Sequence, residues 1–383
     1  MLKVNELFAG IGAFREALIR TGIPHEVVGI SEIDKYAIKS YEAIYGETRN
    51  YGDISKVDKL DYADLWTYGF PCQDISVAGK QAGIEKGKTR SGLLYEVERL
   101  LEKSKECGEL PKYLMLENVK NLVGKKFKAQ FEEWLQKLDE LGYNTYRKVL
   151  NAKNYGIPQN RERVFAISIR KDIDTGYEFP IGFDNGKRLK DILESEVDEK
   201  YYLSDKIQQR LKITDPTFTK NIIGTTICIA ASRGRNPENP SDRTVGNPTV
   251  QRLEINKNGI SNTLTTVQKD NYVVEPMIID PQGRLNKQCT PRNFCPTLRA
   301  QTHGNLPQVT YPNTDFRIRK LTPLECWRLM GFADDQFRKA AKVNSNSQLY
   351  KQAGNSIVVN VLEAIIGNLL VKERSDYLDT LLD

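Results

Sequence analysis

One cysteine of this 383-residue chain stands directly behind a proline, in Gly69-Phe70-Pro71-Cys72-Gln73-Asp74, where a short apolar run ends. Proline stiffens the turn and holds the thiol on a loop at a strand end, which suits a nucleophile. A carboxylate closes another apolar run in Glu117-Asn118-Val119, and two arginines stand two residues apart in Gln159-Asn160-Arg161-Glu162-Arg163. An arginine near Cys72 would favour the thiolate over a thiol whose unperturbed pKa is about 8.5. Taken singly, Cys72 could be a buried structural thiol and Glu117 a helix-capping acid. Taken together they offer a nucleophile, a proton carrier and a cation.

A second group has the types needed to hold a nucleoside. In Phe8-Ala9-Gly10-Ile11-Gly12-Ala13-Phe14 the glycines permit a tight turn and close backbone approach ahead of a helix. Glu32 lies 20 residues past Gly12, where a carboxylate can accept from ribose hydroxyls. Asp53, followed by Ile54, adds an acceptor for the amino group of an adenine. The third glycine of a dinucleotide fingerprint is missing, with Arg15 in its place. A nicotinamide cofactor is therefore disfavoured, and a nucleoside lacking a pyrophosphate fits better.

These segments need elements that bring them to one edge. Val4 to Phe8, Val27 to Ile30, Ala63 to Phe70, Tyr113 to Leu116 and Val164 to Ile169 read as strands. Ala13 to Arg20, Lys35 to Tyr45, Leu93 to Lys105 and Ala129 to Leu141 carry apolar residues at helical spacing. The alternation predicts βαβ units and a mainly parallel sheet with helices on both faces, which binds ligands beyond the carboxyl ends of its strands. From Phe183 to Asn313 short segments broken by Pro, Gly and Asn predict a smaller, irregular, β-rich domain. Helices return at Leu321 to Met330, opened by a Thr322…Glu325 capping box, and at Ile357 to Val371. The expected domains are 1–180 plus 335–383, and 181–334.

Composition narrows the chemistry. The two histidines, His25 and His303, exclude a multi-histidine metal site and leave acid/base work to carboxylates or cysteine. The six cysteines form no CxxC pair, which predicts free thiols in a reducing compartment. Cys289, Cys295 and His303 have an unusual spacing for zinc and lack a fourth ligand, so no metal is expected. No apolar run approaches the roughly 20 residues of a membrane span, and an intracellular, cytoplasmic protein is expected. Between Pro216 and Tyr311 eleven Lys or Arg face six Asp or Glu, which accounts for five of the six net positive charges. A basic stripe on loops is the footprint of a polyanion-binding surface.

In order along the chain, Glu6-Leu7-Phe8-Ala9-Gly10-Ile11-Gly12-Ala13-Phe14, Gly69 to Asp74, Glu117-Asn118-Val119 and Gln159 to Arg163 resemble the motifs of the DNA cytosine-5 methyltransferases. Arg319-Lys320-Leu321-Thr322-Pro323 with Glu325, Met330-Gly331-Phe332, and Gln352-Ala353-Gly354-Asn355-Ser356 complete the resemblance, which spans nearly the whole chain outside residues 183–313. It implies a Rossmann-like domain that binds S-adenosylmethionine, with Phe8, Gly10, Ile11, Gly12, Glu32, Ile33, Asp53, Ile54, Pro71, Leu93 and Asn355 as cofactor contacts. Ile33 stands where some members carry an aromatic residue against the adenine. Cys72 would add to cytosine C6, Glu117 would hold the N3 and N4 edge, and Arg161, with Arg163 behind or beside it, would stabilise the thiolate and contact O2.

Since C5 and C6 are unreachable inside a duplex, the base must be flipped out. The glycine-rich segment 73–92 would close over it. DNA contacts are expected from Gln73, Ser76, Arg90, Arg233, Arg235, Thr297, Leu298 and Arg299. Both Thr263-Leu264 and Thr297-Leu298 match the Thr-Leu pair that orients the recognition region in the family. The second is favoured for its closeness to Arg319. The implied partners are double-stranded DNA and a possible cognate restriction endonuclease, and a monomer suffices for flipping one base. A nicotinamide oxidoreductase would leave Cys72, Glu117 and Arg161 without a joint purpose. A tRNA cytosine methyltransferase would use the same catalytic set, against which the long basic segment favours duplex DNA.

Overall fold

The computed structural model describes residues 1–71, 75, 91–204, 212–213, 227–239, 242, 247–256, 258–265, 271–276 and 316–371. The chain divides into two compact units: Met1–Ile157 with Arg161–Gly186 and Trp327–Asp383, and Pro158–Asn160 with Lys187–Cys326.

The first unit is built on a six-stranded sheet. Its strands are β1 (Leu2–Leu7), β2 (His25–Ser31), β3 (Leu65–Tyr68), β4 (Tyr113–Val119), β5 (Tyr143–Asn151) and, after the short β6 (Gln159–Asn160) of the second unit, β7 (Glu162–Arg170). The order is β2-β1-β3-β4-β7-β5. The four strands β1 to β4 pair in parallel, while β7 runs antiparallel to both β4 and β5. All four residues of β3 are buried, as a central strand covered on both faces requires. Helices α1 (Ala13–Arg20), α2 (Lys35–Tyr45), α3 (Leu94–Glu106) and α4 (Lys128–Leu141) lie where the spacing predicts. On α3 the buried residues Leu94, Val97, Leu100, Leu101 and Ser104 form one stripe. On α4 Phe131, Trp134, Leu138 and Leu141 do the same, and Gly142 ends the helix at φ 106, a conformation that favours glycine.

Register decides what shares the functional edge. Leu7 pairs with Ser31 and Tyr68, and Tyr68 with Leu116, so the carboxyl ends of β1 to β4 lie together. Because β7 is antiparallel, it brings its amino end there, with Arg163 opposite Val119. That is why the arginine motif precedes its strand while the other motifs follow theirs. The edge strand β5 is absent from the sequence expectation. Its Asn144, Arg147 and Lys148 break the apolar pattern, which an edge position tolerates.

Among the described residues four more helices follow: α5 (Pro323–Arg328), α6 (Asp334–Ala341), α7 (Asn346–Asn355) and α8 (Val359–Leu370). The capping box is formed, with the Glu325 N–H donating to Thr322 Oγ1 at 3.2 Å and the Thr322 N–H to Glu325 Oε2 at 2.8 Å. By length and composition residues 346–370 could cross a membrane, contrary to the sequence expectation. The residues between Asn355 and Val359 break the segment into α7 and α8, and α8 buries Val359, Val361, Leu362, Ile365 and Ile366 in the protein.

In the second unit, β8 (Lys212–Ile213), β9 (Cys228–Arg235), β10 (Val250–Asn256), β12 (Tyr272–Pro276) and β13 (Phe316–Lys320) form a sheet in the order β13-β12-β9-β10-β8. Its core holds Cys228, Ala230, Leu253, Val274 and Ile318. A separate two-stranded ladder pairs β6 with β11 (Ser261–Asn262), which places Pro158–Asn160 in this unit.

Candidate active site

At the end of β1 the chain turns through Phe8 (φ 58), Gly10 (φ 57) and Gly12 (φ 81). Phe8 is the one non-glycine described residue with positive φ, a backbone strain of about 1 kcal/mol or more held by the Phe8 N–H bond to the Ser31 carbonyl at 2.8 Å. Gly12 is required twice, because a Cβ there would also come within 2.5 Å of the Tyr45 ring. Below the turn the buried Glu6 caps α1 from the neighbouring strand. It accepts from the Arg15 N–H at 2.9 Å and from the Tyr41 hydroxyl. Burial pushes the Glu6 carboxyl up to about 7, against the opposing pull of the Tyr41 hydrogen bond and the Arg15 charge.

Glu32 sits at the end of β2. One of its oxygens accepts from the Gly10 N–H at 2.8 Å, the other from the Ile33 and Asp34 N–H groups at 2.8 Å each. Asp53 caps the short helical turn after it through the Ser55 N–H at 3.1 Å. Ser55 also lowers the Asp53 carboxyl pKa, chiefly through its side-chain hydrogen bond. Both carboxylates line a cavity of about 300 Å³ within the first unit. Phe8, Gly10, Ile11, Ile33, Ile54, Pro71, Leu93 and Asn355 line it too, whereas Gly12 does not and serves as the N-cap of α1. Ile33 is 72% exposed and leaves an apolar surface at the rim.

Glu117, Arg161 and Arg163 line the same cavity. Arg163 Nε pairs with Glu117 Oε1 at 3.2 Å. Burial raises the Glu117 carboxyl pKa, outweighing Arg163 and then Arg161, which pull it down. The two arginines have different partners. Arg161 is buried and donates to the carbonyls of Gly354 (3.2 Å) and Ser356 (2.6 Å), which flank Asn355.

Cys72, Gln73, Ser76 and Arg90 lie outside the described residues, but the ends of their loop are well tied. Asn118 Nδ2 donates to the Phe70 carbonyl at 3.0 Å, Ser91 Oγ to the Pro71 carbonyl at 2.7 Å, and Asn121 Nδ2 to the Ile75 carbonyl at 2.6 Å. The Pro71 carbonyl, whose carbon is bonded to the Cys72 nitrogen, is thus fixed by the turn leading into α3, and the Phe70 carbonyl before it by the Glu117 strand.

The cavity suits a nucleoside without phosphates. The Arg15 guanidinium lies 4.9 Å from the Tyr45 ring centroid and bonds Thr48 Oγ1 at 3.0 Å, so it is engaged behind the turn. Carboxylates at the ends of β2 and β4 would repel a pyrophosphate and accept hydroxyls or tolerate a cation. The model of the C-5 cytosine-specific DNA methylases matches residues 2–370. The chain belongs to that family. It is a DNA cytosine-5 methyltransferase, and its methyl donor is S-adenosylmethionine. It is 36% identical to the orphan methyltransferase M.SPRI of Bacillus phage SPR, over 96% of this chain and 97% of the relative. With the type II methyltransferase M.HhaI of Haemophilus parahaemolyticus it shares 32% identity, over 96% and 94%. Among solved structures, the Entamoeba histolytica methyltransferase EhMeth has a TM-score of 0.63 at 17% identity, over 96% of this chain and 98% of that one, a likeness of fold.

In the second unit of this methyltransferase the expected DNA contacts divide. Arg233 is exposed, with its Nε 3.6 Å from Glu254 Oε2. Arg235, two residues on, is buried and ion-paired with Glu254, unlike the exposed Arg233. Thr297, Leu298 and Arg299 lie outside the described residues, as do Cys289, Cys295 and His303. Of the two Thr-Leu pairs, Thr263 Oγ1 donates to the Asn160 carbonyl at 2.7 Å and the Leu264 N–H to Gln159 Oε1 at 3.0 Å. Sequence reasoning missed Asn118, Lys351 and the capping role of Glu6. Only the position of Glu6 ahead of the glycine turn could have signalled it.

Proposed function

We propose that this enzyme methylates one cytosine of a specific duplex DNA sequence by transient addition of Cys72 to the ring, with Glu117 and Arg163 holding the flipped base. The observation that carries this reading is the Glu117–Arg163 pair at 3.2 Å, opening on the cavity that Glu32 and Asp53 also line. Cytosine C5 is a poor nucleophile. Bonding of the Cys72 thiolate to C6 pushes an electron pair toward C5 while Glu117 supplies a proton at N3. A carboxyl with a raised pKa is suited to that transfer, and its other oxygen accepts from the N4 amino group. Arg163, beside Glu117, reaches the O2 edge. Arg161 instead fixes the Gly354–Ser356 backbone, so that Asn355 faces the cofactor. S-adenosylmethionine, when bound, supplies an electrophilic methyl group. Loss of the C5 proton, departure of the Cys72 sulfur as thiolate and return of the N3 proton to Glu117 restore the aromatic ring, and with no histidine among the described residues that line the cavity a water molecule or the Cys72 loop takes the C5 proton.

Arg233 and the basic segment around it are suited to phosphates and base edges of a duplex. Thr263-Leu264, bonded to Gln159 and Asn160, takes the orienting role in place of the later pair. A monomer suffices, the site of action is intracellular DNA, and a restriction endonuclease reading the same sequence is the partner in a type II arrangement. Nucleoside digestion after incubation with labelled cofactor tests the reading: 5-methylcytosine should form on duplex DNA, and bisulfite sequencing should place it in one sequence. Labelling of tRNA in preference to duplex DNA would contradict it.

A further inference from the structure

Three side chains from residues 344–352 converge on the start of α2, more than 300 positions away in sequence. Lys351 Nζ lies 2.7 Å from Asp34 Oδ2. Gln352 Nε2 donates to the Tyr36 carbonyl at 2.9 Å while Gln352 Oε1 accepts from Ser40 Oγ at 3.0 Å. Asn344 Nδ2 lies 2.9 Å from both the Tyr36 carbonyl and Ser40 Oγ. Asp34 is also the N-cap of α2, accepting from the Tyr36 N–H at 2.9 Å, and its own N–H donates to Glu32. One turn on from Lys351, where α7 ends, the Gly354 and Ser356 carbonyls take the Arg161 guanidinium. The C-terminal turn of α7 thus ties the Glu32 loop through Lys351 and Gln352, and Arg161 through the carbonyls that follow.

We propose that Lys351 is a positioning residue for the cofactor, acting through Asp34 to fix the Glu32–Asp34 loop against α7. The inference rests on the reading of the cavity as the S-adenosylmethionine site. Lys351 and Asp34 are 48% and 29% exposed, so the pair is partly screened and should contribute a several-fold effect rather than an all-or-none one. Asparagine also caps helices well, so Asp34→Asn removes the charge and keeps the cap.

The test measures cofactor binding to the full-length protein by titration calorimetry, without DNA, alongside steady-state kinetics. Lys351→Met and Asp34→Asn should each weaken the dissociation constant about three- to fivefold, and the double variant should be no worse than the weaker single one. Lys351→Arg should restore binding, and the deficit should shrink in 1 M salt, where the screening length falls to about 3 Å. KM for the cofactor should rise in parallel, with kcat at saturating cofactor within about twofold and the ligand-free melting temperature within a few degrees. Unchanged binding in the variants, additive effects, or failure of arginine to rescue would overturn the inference while leaving the cofactor site in place. Failure of the wild-type protein to bind S-adenosylmethionine would overturn the cofactor reading itself, and this inference with it.

Discussion

Two buried arginine–glutamate clusters, one in each unit, use the same side chains to different ends. In the second unit Arg319, fully buried, bonds Glu275 Oε1 at 2.6 Å and both oxygens of Glu325 at 2.8 and 3.0 Å. Glu325 accepts in addition from the N–H groups of Thr322 and Glu194. The carboxylates hold the Arg319 pKa well above its ordinary value, although burial opposes them. In the first unit Glu117 is nearly as buried, but its ion-pair partner among the described residues is Arg163 alone, and burial raises its pKa. The saturated cluster stores stability. Glu117, with fewer partners among the described residues, leaves carboxyl lone pairs at the cavity wall, where the proposed mechanism puts the substrate base.

Substitutions should separate the two. Glu117→Gln keeps the shape and removes the proton, and should lower single-turnover methylation by about 10²- to 10⁴-fold, or roughly 3–5 kcal/mol of barrier, with little change in melting temperature. Because the protonated form acts and its pKa is raised, the wild-type rate should fall as pH rises through that value, and the Gln variant should lack this limb. Arg319→Met leaves two buried carboxylates unpaired and should cost about 3–5 kcal/mol of stability, read by denaturant unfolding, while cofactor binding to the folded fraction survives. A variant at Glu117 that unfolds the protein without a kinetic defect would erase the distinction.

Glu6 lies between these extremes, being buried and bonded but protonatable. Its native pKa of about 7 stands above the ordinary 4.5, so between these values the native state retains a proton that the unfolded state has released. Stability therefore falls as pH rises through this window, by up to about 3 kcal/mol, and the loss is complete above it. Glu6→Gln should flatten the difference between urea midpoints at pH 5 and pH 8. The smallest effect is expected at Arg233: Arg233→Gln should reduce the slope of log binding constant against log salt by about 0.9 if it contacts one phosphate. Arg235→Gln should act on stability through Glu254 and leave that slope unchanged.

The sequence exposed those parts of the enzyme in which local pattern and chemistry coincide. Cys72, Glu117 and Glu32 each follow an apolar run, so strand periodicity alone places them at one edge of a parallel sheet. The arginine motif breaks that rule, and only the antiparallel direction of β7 explains why its amino end belongs there. Strand β5 escaped notice because an edge strand need not be apolar. The division of labour between Arg161 and Arg163 was hidden for a similar reason, since residues two apart read as one face until Gly354, Ser356 and Glu117 claim them separately. Lys351 carried no local signal, because its partner is 317 residues away.

The central claim is that Cys72 bonds to the cytosine ring. A duplex with 5-fluorocytosine replacing every cytosine of one strand tests it most directly, because fluorine at C5 cannot leave as a proton and the adduct persists. Incubated with S-adenosylmethionine, the wild-type protein should form a DNA adduct stable to denaturing electrophoresis, and Cys72→Ala should form none. An adduct with Cys72→Ala, or methyl transfer to ordinary DNA by that variant at more than a trace of the wild-type rate, would contradict the account.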